Sequence, residues 1–271
     1  MNRIYRSLST TLGGLAAVAM AVASPSAWAG HDDDDEEIPF DEHEIFFELN
    51  YTDQDLGIHA LIDGEAWKRL KIVRDDNDRK LLDVRVRSRL RQQGLTEFFF
   101  ESAEPEFDDL SPEDFFARFP AGEYEIEGRT LDGDEMESET EITHLVPAPA
   151  VTMVNDDEAA EDCDDPLPGV TRPVTIFWDP VTMSVNPDDD GFEGFPDQEF
   201  IDVVNYQVVV ELDETPYNVS AILSSDAGSF RIPDEILDLA EDEADGNVKF
   251  EVLVREASFN QTGVESCFVL E

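Results

Sequence analysis

The sequence is poor in lysine and cysteine, and only its N-terminus carries a long apolar run. Eighteen basic residues, of which four are lysine, oppose 65 acidic residues, so the formal net charge of the 271-residue chain is −47. Nucleic acid binding requires clustered positive charge, and we expect no nucleic acid partner. The sequence also lacks the G-x-S-x-G, H-E-x-x-H and glycine-rich phosphate-binding motifs of common enzymes. These absences favour a non-enzymatic protein.

The N-terminus has the pattern of a secretory signal peptide. Arg3 and Arg6 precede an apolar run from 12 to 23, and the triplet Ala27-Trp28-Ala29 follows. A basic start, a short apolar middle and an A-x-A exit predict cleavage after Ala29. The run is shorter than a membrane span requires, and no second such run follows, so we expect a secreted chain without membrane insertion. Whether it is periplasmic or extracellular is left open.

The remaining 242 residues contain 16 basic and 65 acidic side chains, a formal charge of −49. Residues 30–43 are too charged to pack and are predicted to form a disordered acidic tail. From residue 44, apolar side chains alternate with polar ones, as at Ile45, Phe47 and Leu49. One helix is predicted after Ser111 as N-cap, with Pro112 at its first position. Short strands with turns between them predict an immunoglobulin-like β-sandwich over 44–146.

The second half resembles the fibronectin type III family. The segments that carry the resemblance to strands B, C, E and F of that family are PVTIFWDPV (173–181), VNYQVVVEL (204–212), SFRIP (229–233) and KFEVLVREASFNQTG (249–263). Trp178 and Tyr206 stand at core positions of the family, and Phe250 replaces the usual tyrosine. A short helix is expected over 233–246. The resemblance implies a fibronectin type III-like domain over 147–271, and hence an all-β chain of two β-sandwich domains in tandem.

The resemblance also bears on Cys163 and Cys267, the two cysteines of the chain. In a fibronectin-like sandwich the connection between strands A and B lies at the same pole as the end of strand G. These are the regions of Cys163 and Cys267, so a disulfide between them is implied, and export permits it. Two free thiols are the alternative.

A basic segment stands out in this acidic chain. Ten of the 16 basic residues of the exported part lie between Lys68 and Arg91, and four of them recur at every second position: Arg85, Arg87, Arg89 and Arg91. This period predicts four guanidinium groups on one face of an extended segment, suited to an acidic polysaccharide. The alternative is internal. The glutamates of 123–127 and 137–141 would oppose one another in a hairpin, and nearby arginines would relieve their repulsion.

The segment NPDDDGFEGFPD (186–197) has the rhythm of a calcium loop. Its oxygen-bearing side chains at positions 1, 3, 5 and 12 are Asn186, Asp188, Asp190 and Asp197, with Gly191 at position 6. Position 12 has aspartate instead of glutamate, and no helices flank the segment. It therefore also fits a solvated B–C loop without a ligand. His43, His59 and His144 lack metal-ligand spacing to one another, and the last two are expected on strand faces.

Three functions are consistent with these patterns. The first is a secreted, non-enzymatic binding, adhesion or scaffold protein without a cofactor, whose partner is a protein or polysaccharide at the cell envelope or outside the cell. The second is an acidic structural protein that depends on calcium. The third is a carboxylate-based hydrolase, because carboxylates are abundant although no pair is singled out.

Overall fold

A computed structural model describes residues 37–155, 157–160, 163, 167–189, 191–212 and 215–271. The predicted signal peptide lies outside the described residues. The elements of the first half are β1 (Glu42–Asn50), β2 (Asp55–Arg74), β3 (Lys80–Arg85), α1 (Leu90–Gln93), β4 (Leu95–Glu101), α2 (Pro112–Arg118), β5 (Gly122–Thr130) and β6 (Glu135–Ile142).

The elements of the second half are β7 (Thr152–Val154), β8 (Asp157–Glu158), β9 (Gly169–Val170), β10 (Thr175–Trp178), β11 (Val203–Glu211), β12 (Asn218–Ser224), β13 (Ser229–Arg231), α3 (Asp234–Glu243), β14 (Asn247–Glu256) and β15 (Gln261–Leu270). The chain is therefore all-β, as predicted, and its helices are short. None of the helices in the described part of the chain is long and apolar enough to cross a membrane.

The long strand β2 organises the first half. Its first part pairs with β1 and β4, and its second part pairs with β5 and β3. The apolar faces of these strands enclose one core, in which Trp67, Phe47 and Ile126 are fully buried. The predicted helix is present as α2, and the hydroxyl oxygen of Ser111 accepts a hydrogen bond from the Asp114 amide at 3.3 Å. Its Phe115 and Phe116 pack edge-on against Phe47.

The second half is a sandwich of two sheet layers with its own core. One layer has the strand order β13-β10-β7-β8, and the other begins β12-β11-β14-β15. The strands that the family resemblance predicted are present as β10, β11, β13 and β14, and α3 occupies the predicted helical segment. Trp178, Tyr206 and Phe250 are buried in the same core. Their shared interior confirms the fibronectin-like arrangement of apolar residues.

Two apolar segments pack where the sequence indicated solvated chain. Ile38 forms a bridge with Met136, and Phe40 is buried in the first core. The prediction of a disordered tail as far as residue 43 is therefore wrong at its C-terminal end. Phe192 and Phe195, in the predicted B–C loop, are also buried in the first core. Burial of their aromatic rings outweighs the acidity of the neighbouring residues.

The two halves share one sheet. The end of β1 pairs in parallel with the start of β15, and the 11-stranded sheet runs through both halves in the order β12-β11-β14-β15-β1-β2-β5-β6. Residues 36–271 accordingly form one compact unit. We call this β1–β15 pairing the joint.

Asn260 stabilises the joint from the turn before β15. Its side chain is only 1% exposed. The Oδ1 atom accepts from the Phe47 amide at 2.8 Å, and Nδ2 donates to the carbonyl oxygens of Thr143 at 3.1 Å and Leu145 at 3.0 Å. Because the amide satisfies three backbone groups, it ties the turn to β1 and to the connector between the halves.

Candidate functional site

The four arginines of the basic segment do not share one strand face. Arg85 is the last residue of β3, whereas Arg89 is the N-cap of α1 and Arg91 lies inside that helix. The extended geometry predicted from the period of two is therefore wrong. Ser88 adopts a left-handed conformation, with φ of 57°, and ends the extended run. The four side chains nevertheless remain exposed and close in sequence.

Most ion pairs of this region involve basic residues other than the four arginines. In the β5–β6 hairpin, three glutamate pairs stand directly opposite each other, as predicted: Glu123 and Glu141, Glu125 and Glu139, and Glu127 and Glu137. Lys71 of β2 pairs with one of these six glutamates, Glu127. Arg85 pairs with Asp83 at 3.5 Å. In the described part of the chain, no carboxylate lies within ion-pairing distance of Arg87, Arg89 or Arg91.

In the predicted calcium loop, the aromatic side chains are buried and the described acidic side chains are exposed. Asn186 Oδ1 accepts a hydrogen bond from the Asp188 amide at 3.2 Å, and its Nδ2 donates to Asp189 Oδ1 at 2.9 Å. Asp188 and Asp197 are exposed. Asp190 lies outside the described residues, so calcium binding at Asn186, Asp188, Asp190 and Asp197 stays a prediction.

The disulfide implied by the family resemblance is present. Cys163 and Cys267 are bonded, with their Cα atoms 5.5 Å apart. Ala160 also pairs with Cys267 through two backbone hydrogen bonds. The connection after β7 is thereby fastened to β15 by both covalent and hydrogen bonds.

A cluster that sequence analysis did not single out lies beside the joint. We call Glu48, His59 and Glu104 the Glu48 cluster. Glu48 of β1 stands opposite Gly57 of β2 and Gln261 of β15, and Glu104 follows β4. One ligand atom from each of the three side chains lies within 4.8 Å of the other two. Among the described residues, this is the group of histidine and carboxylate side chains that lie close enough together to hold one metal ion.

Histidine sits between the two carboxylates of this cluster. His59 is 4% exposed, and its ring lies 5.3 Å from that of Phe46. Its Nε2 is 3.1 Å from Glu104 Oε1, and its Nδ1 is 4.0 Å from Glu48 Oε2. Burial lowers the pKa of His59, but the hydrogen bond to Glu104 and the charge of Glu48 outweigh burial and raise it.

Further carboxylates surround the Glu48 cluster. Burial raises the pKa of Asp55 to about 7, with the charge of Glu104 adding to the shift. Burial likewise raises the pKa of Glu251 to about 8, together with the charges of Glu48 and Glu265. Lys249 forms an ion pair with Glu265. This face of the sheet thus concentrates negative charge in a partly buried region, which is costly unless cations or protons compensate.

Two amide side chains hold the carboxylates of the cluster. Asn50 Nδ2 donates to Glu104 Oε2 at 3.3 Å and to Asp55 Oδ1 at 2.8 Å. Gln261 Nε2 donates to Glu48 Oε2. Such hydrogen bonds fix the orientation of carboxylates that act together.

A groove lies on another side of the joint, between the end of β6 and the turn from β14 to β15. Its lining combines three carboxylates with a histidine and a phenylalanine, namely Glu139, Glu141, Glu256, His43 and Phe259.

Comparisons with known proteins identify no family for this chain. No family model matches, and no curated protein matches. Among solved structures, the chain is similar to the FN1–FN3 domains of chicken CNTN1, with 8% identity, a TM-score of 0.31, and coverage of 86% of this chain and 65% of that one. A two-domain fibronectin type III segment of chicken tenascin has 11% identity, a TM-score of 0.28, and coverage of 85% and 98%.

A third similar structure comes from a study of a 1.5-MDa bacterial ice-binding adhesin, with 11% identity, a TM-score of 0.24, and coverage of 87% of this chain and 66% of that one. Likenesses this distant carry no functional information. Function must therefore be argued from the residues of this chain.

One local signal pointed to the Glu48 cluster. Gly57 interrupts the apolar pattern of β2, and glycine within a strand often marks a close approach of another group. A Cβ atom at Gly57 would lie 2.5 Å from Glu104 Oε1. The three members of the cluster carried no sequence signal of their own, since they come from two strands and a loop.

Proposed function

We propose that this chain is an exported, non-enzymatic binding protein that contacts an acidic polysaccharide through Arg85, Arg87, Arg89 and Arg91. The observation that carries the proposal is the exposure of these side chains without an internal role for three of them. Arg87, Arg89 and Arg91 have no carboxylate partner in the described part of the chain, and the cation that pairs with Glu127 of the glutamate hairpin is Lys71. Their guanidinium groups are thus free to pair with carboxylates or sulfates.

The strong negative charge of the whole chain does not prevent such binding. At physiological ionic strength, charges are screened beyond roughly 8 Å, so a ligand at the basic segment responds mainly to nearby groups. The rigid joint supports the same function, because two sandwiches that share a sheet present their surfaces in a fixed relation. The disulfide supports export, since such bonds persist in oxidising compartments.

The test measures binding to immobilised alginate and dextran sulfate at physiological salt. We expect the Arg89→Ser/Arg91→Ser variant to bind about tenfold more weakly, since each exposed ion pair contributes up to about 1 kcal/mol. The matched control is Arg118→Ser/Arg231→Ser, which removes the same charge from exposed positions elsewhere. Equal binding by the two variants, or no binding by the unmodified chain to either polymer, would refute the proposal.

A further inference from the structure

We propose that Glu48, His59 and Glu104 bind one divalent transition-metal ion, of the Zn²⁺ or Mn²⁺ class, beside the joint. The first argument is the donor set. One imidazole and two carboxylates are ligands typical of these ions, whereas Ca²⁺ and Mg²⁺ prefer sites made of oxygen alone. Ligand atoms within 4.8 Å of one another need only small side-chain movements to reach metal-ligand distances of about 2.0–2.3 Å.

The second argument is the surroundings of the imidazole. His59 is more than nine-tenths buried, and each of its ring nitrogens has a carboxylate oxygen as a neighbour, at 3.1 and 4.0 Å. A neutral imidazole has one donor nitrogen and one lone pair. A positive charge between these groups is therefore favoured. Either a second proton on the ring or a metal ion that takes the ring's lone pair as a ligand supplies it, and a metal ion would displace that proton.

The third argument is the balance of charge around the site. Five carboxylates gather on this face, namely Glu48, Asp55, Glu104, Glu251 and Glu265, and Lys249 is paired with the last of them. A dication would offset the two charges of Glu48 and Glu104.

The fourth argument is that glycine in β2 lets the ligands approach one another closely and that amide side chains support them. Gly57 lies opposite Glu48, and a methyl group there would lie 2.5 Å from Glu104 Oε1 and 3.1 Å from His59 Nε2. Asn50 and Gln261 orient the two carboxylates from neighbouring positions. Gln261 belongs to β15, so an ion in this site would link both sides of the joint.

The experiment measures metal binding by the whole chain after EDTA treatment, with titration of Zn²⁺, Mn²⁺ and Ca²⁺ followed by calorimetry. We expect His59→Gln and Glu104→Gln each to lose one equivalent of Zn²⁺ or Mn²⁺, or to bind it at least about 100-fold more weakly, since even outer-shell changes cost 10–100-fold. The control His43→Gln, on the same strand as Glu48, should retain that equivalent. Retention in both cluster variants, or a site that takes Ca²⁺ alone, would overturn the proposal.

A second measurement avoids substitutions, so that a loss of structure in a His59 variant is not mistaken for the loss of a ligand. Nitrogen NMR of the unmodified chain reports the imidazole of His59 directly. We expect one equivalent of Zn²⁺ to shift one ring nitrogen of His59 into the range of metal-bound imidazole. A His59 ring that keeps a proton on both nitrogens at neutral pH and does not respond to Zn²⁺ would overturn the proposal.

Discussion

Replacement of Asn260 by alanine should weaken the joint more than any comparable change on the surface. The substitution removes the acceptor for the Phe47 amide and the donors to the carbonyl oxygens of Thr143 and Leu145. All these partners are backbone groups, and the side chain that serves them is buried. The loss therefore leaves polar groups of the joint without partners, in a place that water reaches poorly.

The magnitude follows from the number of groups left unpaired. A buried donor or acceptor without a partner costs about 1–3 kcal/mol, and carbonyl oxygens tolerate the loss better than amides because each has a second lone pair. We therefore expect Asn260→Ala to lower the free energy of unfolding by about 3–5 kcal/mol. Asn260→Asp keeps the volume and the acceptor but loses the donors, and it adds a buried charge. It should cost at least as much.

The assay is guanidinium unfolding at equilibrium, with the change in midpoint converted at constant slope. Asn218→Ala is the matched control, because Asn218 is exposed at the start of β12 and its loss should cost less than about 0.5 kcal/mol. The reasoning is refuted if Asn260→Ala is no more destabilising than this control. A mild effect of Asn260→Asp beside a large effect of Asn260→Ala would show that packing, and not hydrogen bonding, carries the contribution.

Three further predictions concern other parts of the fold. The variant Cys163→Ser/Cys267→Ala opens a loop with a sequence separation of 104 and should lose about 4 kcal/mol of unfolding free energy, as measured against the oxidised chain; equal stability would contradict a native disulfide. Burial lowers the pKa of His144 in the folded chain below its ordinary value of 6.5. The stability that neutral His144 contributes is therefore complete above that pH and is lost as the pH falls through the lower folded pKa. Stability measured from pH 7 to 5 should therefore fall less steeply in His144→Gln, and an unchanged slope would contradict this. Phe192→Ala should cost about 3–5 kcal/mol, whereas Phe200→Ala, at a position that is 84% exposed, should be nearly neutral; similar costs would contradict the inward loop.

Local patterns predicted the strands and the cores well. The alternation at Ile45, Phe47 and Leu49 depends on one strand and one buried face. The period of two at Arg85–Arg91 predicted an extended segment, which is wrong because Ser88 leaves the extended conformation. Charged side chains need no buried face, so their spacing does not determine the backbone conformation. His144 likewise lies in the connector after β6 and not on a strand face, although its hydrogen bond to the Phe119 carbonyl at 2.8 Å holds it firmly.

The joint and the Glu48 cluster escaped prediction for a different reason. Phe47 and Asn260 are 213 residues apart, as are Glu48 and Gln261. Each contact depends on the pairing of β1 with β15 in one register. No local periodicity predicts that pairing. Gly57 is the one local signal that could have indicated a close approach of another group to β2.

The most direct test of the central claim, that the two cores form one unit through the joint, uses one tryptophan in each. Trp67 is buried in the first core and Trp178 in the second. With Trp28 changed to phenylalanine throughout, Trp178→Phe leaves a reporter of the first core, and Trp67→Phe leaves a reporter of the second. We expect each reporter to show the same unfolding midpoint as far-ultraviolet circular dichroism on the same variant. A reporter whose transition separates clearly from the circular dichroism curve would contradict the claim, because the two halves would then unfold independently.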